Sequence, residues 1–106
     1  MQVLNLKQFH MGKLPNTKTV LYTVEAGATA IVREAVFFNA DASDDVEVKV
    51  YINDLPIVKQ VVPAGETLYC GHEWHMVLKE NDKIAVETSK TNVINAIISG
   101  AIATEG

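Results

Sequence analysis

The sequence predicts an all-β fold, a two-layer antiparallel β-sandwich of jelly-roll or Ig-like type, with about seven or eight strands and an extended N-terminal arm. Three observations predict it. Apolar residues alternate with period two, as in Val46-Glu47-Val48-Lys49-Val50-Tyr51-Ile52, and strand side chains alternate faces. Turn-forming residues recur about every eight to twelve positions, the spacing of sandwiches and barrels. No segment sustains a helical stripe; the one candidate, Leu4 to Met11, is cut off by Gly12 and Pro15.

Residues 1–17 read as the arm and residues 18–106 as the sandwich. In the arm Phe9, Met11 and Leu14 are apolar but sit among turn-formers that end in Pro15-Asn16-Thr17. Such an arm docks on a neighbouring subunit or packs across its own domain. Strands follow over Thr19 to Val24 and Ala28 to Asn39, rich in β-branched and aromatic residues. After the polar loop Asp41 to Asp45, Val46, Val48, Val50 and Ile52 face the core, with Glu47, Lys49 and Tyr51 towards solvent. Asn53-Asp54-Leu55-Pro56 turns the chain into Ile57 to Val62, and Ile84 and Val86 point inward from Lys83 to Thr88. Glu25-Ala26-Gly27 and Pro63-Ala64-Gly65 each set Gly where a positive φ is expected. Both faces of Val93 to Ile98 are apolar, which predicts cover on both sides: by the core on one, and on the other by a second subunit, a loop or the arm.

A chain of 106 residues suits one domain and buries roughly 65% of its unfolded surface, enough for a core without disulfides or metal. The net charge of −4 and nine scattered basic residues leave no footprint for a phosphate backbone or an anionic membrane, so neither nucleic acid nor membrane is an expected partner. Cys70 is the single cysteine, and the first residues lack the basic head and apolar stretch of a signal peptide. Synthesis in a reducing cytoplasm is the expectation.

Chemistry-bearing residues concentrate in Cys70-Gly71-His72-Glu73-Trp74-His75-Met76. A zinc protease requires His-Glu-x-x-His on a helix, and here the second histidine comes one residue early in a strand-rich region. In a regular strand His72 and His75 point to opposite faces. A turn that gathers Cys70, His72 and His75 around Zn²⁺ is the weak candidate; against it, Trp74 and Met76 pack inward and Cys70 is a small buried residue. Asp41, Asp44 and Asp45 lack the alternation and glycine of a calcium loop and read as solvated. No Ser-His-Asp or Cys-His signature and no phosphate loop is present, so no cofactor and no enzymatic activity are expected. A sugar-binding module is the alternative, and exposure of Phe38, Tyr51, Tyr69 or Trp74 in a shallow groove is its discriminator.

The order of turns and strands resembles that of small structural proteins of tailed-bacteriophage virions. The similarity runs over residues 12 to 100: Gly12-Lys13-Leu14-Pro15-Asn16-Thr17, then Leu21-Tyr22-Thr23-Val24-Glu25-Ala26-Gly27-Ala28-Thr29-Ala30-Ile31-Val32, a strand ending in Phe38-Asn39, and the alternating strand to Asn53. Pro63-Ala64-Gly65-Glu66-Thr67, the turn Val77 to Ile84, and Val93-Ile94-Asn95-Ala96-Ile97-Ile98-Ser99-Gly100 complete it. The chain departs from the pattern at Glu25, where Pro is usual, and at Asn81, where Gly is usual; Asn tolerates the left-handed conformation Gly would supply. The resemblance implies a decoration, head-fibre, neck or tail component, made in the bacterial cytoplasm and carried in the virion. It implies a homo-oligomer, with a trimer as the expected form, and contacts with other virion proteins. Phe9, Met11 and Leu14 of the arm and Ile94 and Ile98 of the last strand are the candidate interface.

Overall fold

A computed structural model describes residues 2–71 and 75–105. They form nine strands: β1 (Gln2–Lys13), β2 (Thr19–Thr23), β3 (Ala28–Asn39), β4 (Val46–Ile52), β5 (Leu55–Val62), β6 (Thr67–Cys70), β7 (Met76–Leu78), β8 (Lys83–Thr88) and β9 (Ile94–Glu105). One sheet runs β1-β9-β3, with β6 and β7 both on the far side of β3; the other runs β2-β8-β4-β5, and every pairing is antiparallel. β6 pairs Ala35 to Phe38 and β7 pairs Ala30 to Val32, so together they occupy one strand position. The chain crosses between the sheets after β1, β2, β3, β5, β7 and β8. Two four-position sheets with that winding are a jelly roll, which decides between the two sandwich types expected. The divided β6/β7 position is why nine strands appear rather than seven or eight.

The inner faces follow the alternation. Val46, Val48 and Val50 of β4, Val86 of β8, Val32 and Phe37 of β3, and Ile94 and Ile98 of β9 are all buried in one cluster. Burying each such side chain contributes about 1.5–3 kcal/mol. Turn chemistry closes the layers. Gly27 and Gly65 have φ of 77° and 74°, as their turns require. Asn53 and Asp54 both take positive φ at the centre of the β4–β5 hairpin, the two-residue turn that matches strand twist. Asn81 has φ 72°, so it does supply the left-handed conformation.

Residues 2–17 differ from a detached arm. Gln2–Lys13 is an edge strand, paired along the whole of β9 from Glu105 back to Asn95. Phe9 turns into the core and meets Tyr22 edge-on at 4.8 Å. Leu14 is fully buried, its N–H donating to the Ile94 carbonyl and its carbonyl accepting from Asn92. Thr88 then holds Pro15 through backbone and hydroxyl donors. Of the two placements expected for this segment, packing on its own domain is the one seen.

One buried polar side chain ties the layers together at the end of β3. Asn39 Nδ2 donates to the carbonyls of Asp44 and Val62, and its Oδ1 accepts from the Asp41 N–H. The acidic loop that follows is folded on itself. Asp41 accepts from the N–H groups of Ser43 and Asp44, and Lys90 Nζ donates to Asp41 and Asp44. These hydrogen bonds and the lysine charge hold the Asp41 carboxyl below the usual carboxylate range. Asp45 instead accepts from the Ala64 N–H. The three carboxylates are thus spent on the protein's own donors.

Candidate interaction surface

The two bulges of the longer sheet decide what faces solvent. The register slips between Gln8 and His10 on β1 and between Val32 and Glu34 on β3, on either side of Ser99-Gly100 in β9. At this level β3 comes so close that a Cβ on Gly100 would lie 1.9 Å from the Ile31 carbonyl oxygen. Gly100 therefore permits the slip, and the slip sends Arg33 and Glu34 both outward.

Outward-facing residues form rows across the strands. Val77, Ile31, Ala101 and Leu6 are successive cross-strand partners from β7 to β1, with Ala101 itself covered by its neighbours. Tyr69, Val36, Ile97 and Met11 make a second such row from β6 to β1. Leu6 is 89% exposed, Val77 65%, Met11 64% and Tyr69 60%. Between the two apolar rows runs a polar one, Glu34, Ser99 and Gln8, with Arg33 beside it. The Tyr69 hydroxyl donates to Glu34 at 2.6 Å, which raises the tyrosine pKa. Beside the second row, Met11, Val36, Phe38 and Ile97 line a shallow depression of about 520 Å³ whose hydrogen-bonding side chains are Lys13 and Asn95.

This face is not the one the sequence indicated. Phe9, Leu14, Ile94 and Ile98 are core residues, 6%, 0%, 0% and 1% exposed, and only Met11 of the five candidates reaches solvent. The physical reason is strand parity. On β9 Ile94, Ala96 and Ile98 point in, so Asn95, Ile97 and Ser99 point out. On β1 the bulge turns Phe9 inward while Met11 stays outside. The expectation that β9 is apolar on both faces holds through Ile97, whose outward position was the available signal. Arg33 and Glu34 gave none, because a bulge in mid-strand leaves no mark in the alternation.

The metal candidate is only partly placed. Cys70 packs against the core from the end of β6, and burial pushes its thiol pKa up. His75 is exposed, and His72 and Trp74 lie outside the described residues. Among the described residues no group of His, Cys, Asp and Glu is arranged to hold a metal. Of the sugar discriminators, Phe38 lines the shallow depression, Tyr69 is tied to Glu34, and Tyr51 lies on the other sheet, hydrogen-bonded to Glu87 beneath Lys18.

No family model matches the sequence, and no curated protein matches it. Among solved structures, a chain of the icosahedral particle of infectious bursal disease virus is similar over 99% of this chain, with a TM-score of 0.51 and 14% identity. This chain spans 31% of the length of that viral chain. A Bacillus endospore appendage, of a family of disulfide-linked pili, is similar over 97% of this chain and 87% of its own length, with a TM-score of 0.50 and 11% identity. At these identities the likeness is one of fold: the two-sheet sandwich described above is also built in a virus particle and in a pilus.

Proposed function

We propose that this chain is a non-enzymatic structural protein of a viral particle, acting through contacts with copies of itself and with other particle proteins. One observation carries the reading: the outer face of the five-stranded sheet exposes two apolar rows, with Leu6, Val77, Met11, Tyr69 and Ile97 open to solvent, on a jelly roll whose described clefts gather no catalytic set. Contiguous apolar surface of this kind marks an interaction site in a folded domain. The jelly-roll likeness to a virus-particle chain supports the same reading. The resemblance to tailed-phage proteins narrows it to a decoration, head-fibre, neck or tail component. Attachment is then multivalent: each copy adds modest contacts, and repetition around an axis multiplies them into avidity. A threefold ring is the form that resemblance implies. Its interface has to be built from surface residues, because Phe9, Leu14, Ile94 and Ile98 are inside the subunit.

The test is to purify particles from the source phage or an induced prophage and quantify this chain against the major capsid protein. A copy number near that of the capsid protein identifies a decoration or head-fibre protein. A few copies per particle place it in the neck or tail, and absence from clean particles defeats the reading. The second reading, a carbohydrate-binding module for host-surface glycans, is favoured by Phe38 in its depression. It is the weaker one because Lys13 and Asn95 are few hydrogen-bonding groups for a sugar ring.

A further inference from the structure

The depression beside the second apolar row has a chemistry of its own. Its volume of about 520 Å³ lies over two outward rows, Met11, Ile97 and Val36 in one and Lys13, Asn95 and Phe38 in the next. That volume is in the range of small-molecule sites, which combine a mostly apolar lining with a few placed polar groups. The apolar part is a thioether, two branched aliphatic side chains and a ring. Met11 is 64% exposed, and its unbranched side chain adapts to what it meets. The two polar side chains stand together, because Lys13 and Asn95 are cross-strand partners with Cβ atoms about 5 Å apart. Both bring donors, an ammonium and an amide, and neither has a hydrogen-bond or ion-pair partner among the described residues. Among those residues no carboxylate lines the depression. Glu34 lies one row further off, beyond Met11, Ile97 and Val36, and is held by the Tyr69 hydroxyl.

We propose that this depression binds an amphipathic anion, a carboxylate carrying an unbranched apolar tail. The carboxylate sits between Lys13 Nζ and Asn95 Nδ2, where two sets of donors meet two acceptor oxygens. The tail crosses the sheet from β1 to β3, over Ile97 and Val36 to the Phe38 ring. Lys13 and Phe38 are two strand spacings apart, roughly 10 Å, which is the length of ligand the site covers. Charge selects the class. A cation of the same shape meets Lys13 with no anion in the lining to offset it, and a sugar finds two hydrogen-bonding side chains for its many hydroxyls. The site is shallow, so the ligand exchanges readily. The inference does not rest on the particle reading; in a particle, such a ligand competes with any partner that docks on the second row.

The experiment is a titration of the full chain with octanoate, whose length matches that span, followed by the NMR shifts of individual backbone amides. The amides of Met11, Lys13, Asn95 and Ile97 are expected to shift and saturate, with a dissociation constant of about 1 mM or below. Octyltrimethylammonium, with the same tail and the opposite charge, is expected to leave them unmoved at the same concentrations. Lys13→Glu reverses the preference: octanoate binding weakens about threefold or more, and the ammonium ion is now bound. A folding defect cannot imitate that gain. Ile97→Ser removes apolar lining and no core contact, so it weakens octanoate and leaves the charge preference unchanged. Equal shifts with both ions, shifts that map away from the depression, absence of saturation, or a Lys13→Glu chain that still prefers octanoate overturns the proposal. So does methyl glucoside that gives the same shifts at lower concentration, which returns the site to the carbohydrate reading. The particle role is judged separately, by copy number in virions.

Discussion

The two sheets share one core and present opposite chemistry to solvent. On the five-stranded sheet two outward rows are apolar, with the polar row Glu34, Ser99 and Gln8 between them and Phe38, Asn95 and Lys13 beyond the second. On the four-stranded sheet the row across the middle is Glu87, Lys49 and Lys59, with Glu47 and Lys49 paired at 3.7 Å. Tyr51 on that face is bound by Glu87 at 3.0 Å and covered by Lys18, whose Nζ is 4.6 Å from the ring centre. Its exposed apolar groups, Val20 on β2 and Leu55, Ile57 and Val61 on β5, lie at the two edges with the charged ladder between them. Pro56 and Lys59 also sit on the β5 edge, and both oppose pairing with another strand. The inner faces of the two sheets are interchangeable in character, so they determine the fold. The outer faces are not, and it is there that a role is encoded.

The sharpest way to break the comparison is at the level where the apolar sheet is pinched. Gly100→Ala places a methyl group on the Ile31 carbonyl, and backbone has no rotamer with which to yield. The expected cost is about 4 kcal/mol in denaturant unfolding, or failure to fold. Lys49→Ala, at the middle of the charged sheet, is expected to change stability by less than about 0.5 kcal/mol. Equal effects at the two positions would mean that the pinch is not where the longer sheet is fixed.

Next in size is the junction that makes the sheets one domain. Asn39→Ala removes donors from the Asp44 and Val62 carbonyls and the acceptor of the Asp41 N–H. A loss of about 2–3 kcal/mol is expected. Asn39→Asp keeps the acceptor but not the donors, so it recovers little of that loss. A near-neutral Asn39→Ala would show that the Lys90 contacts to Asp41 and Asp44 hold the loop without it.

A third change tests the faces themselves. Leu6→Ser together with Val77→Thr removes exposed apolar groups from one row and no core contact, so unfolding free energy should stay within about 0.5 kcal/mol. Binding of a hydrophobic dye to the native chain should fall. The same measurement on Val20→Thr, from the charged sheet, should show a smaller change, because Val20 stands alone at its edge. If the dye responds equally to both, the rows do not act as a continuous patch.

Much of this was legible in the residues, and the exceptions have one cause. Strands, turns and inward positions follow from period-two alternation, and Val46, Val48, Val50, Ile84 and Val86 are buried as read. The left-handed turns followed from Gly and Asn chemistry at Gly27, Gly65 and Asn81. The candidate interface went astray because identifying outward residues on β1 and β9 requires the register, and a bulge shifts register without altering composition. Phe9 and Leu14 look like docking residues in a segment full of turn-formers, yet they are the residues that anchor β1 and the turn after it. The outer rows are a property of pairing between strands far apart in sequence, such as Val77 with Ile31 and Ile31 with Ala101. No local pattern carries that information.

The smallest expected effect separates the sheets by pH. His10 on β1 sits beside the core with its Nε2 buried and unpartnered among the described atoms. Burial lowers its pKa from the ordinary 6.5, with the Gly12 backbone opposing in part. A lowered folded pKa means that protonation favours the unfolded chain. The stability His10 contributes is therefore whole above pH 6.5 and is lost as pH falls through the lower folded value. Asp41, also lowered, contributes above pH 3.8 and loses its contribution only below it. Unfolding free energy measured against pH should thus show a first, shallow decline below neutrality and a second in strong acid. Only the first disappears in His10→Leu, because the Asp41 contacts with Lys90, Ser43 and Asp44 share no partner with His10. A first decline that survives His10→Leu unchanged would move its origin to a group outside the β1 edge.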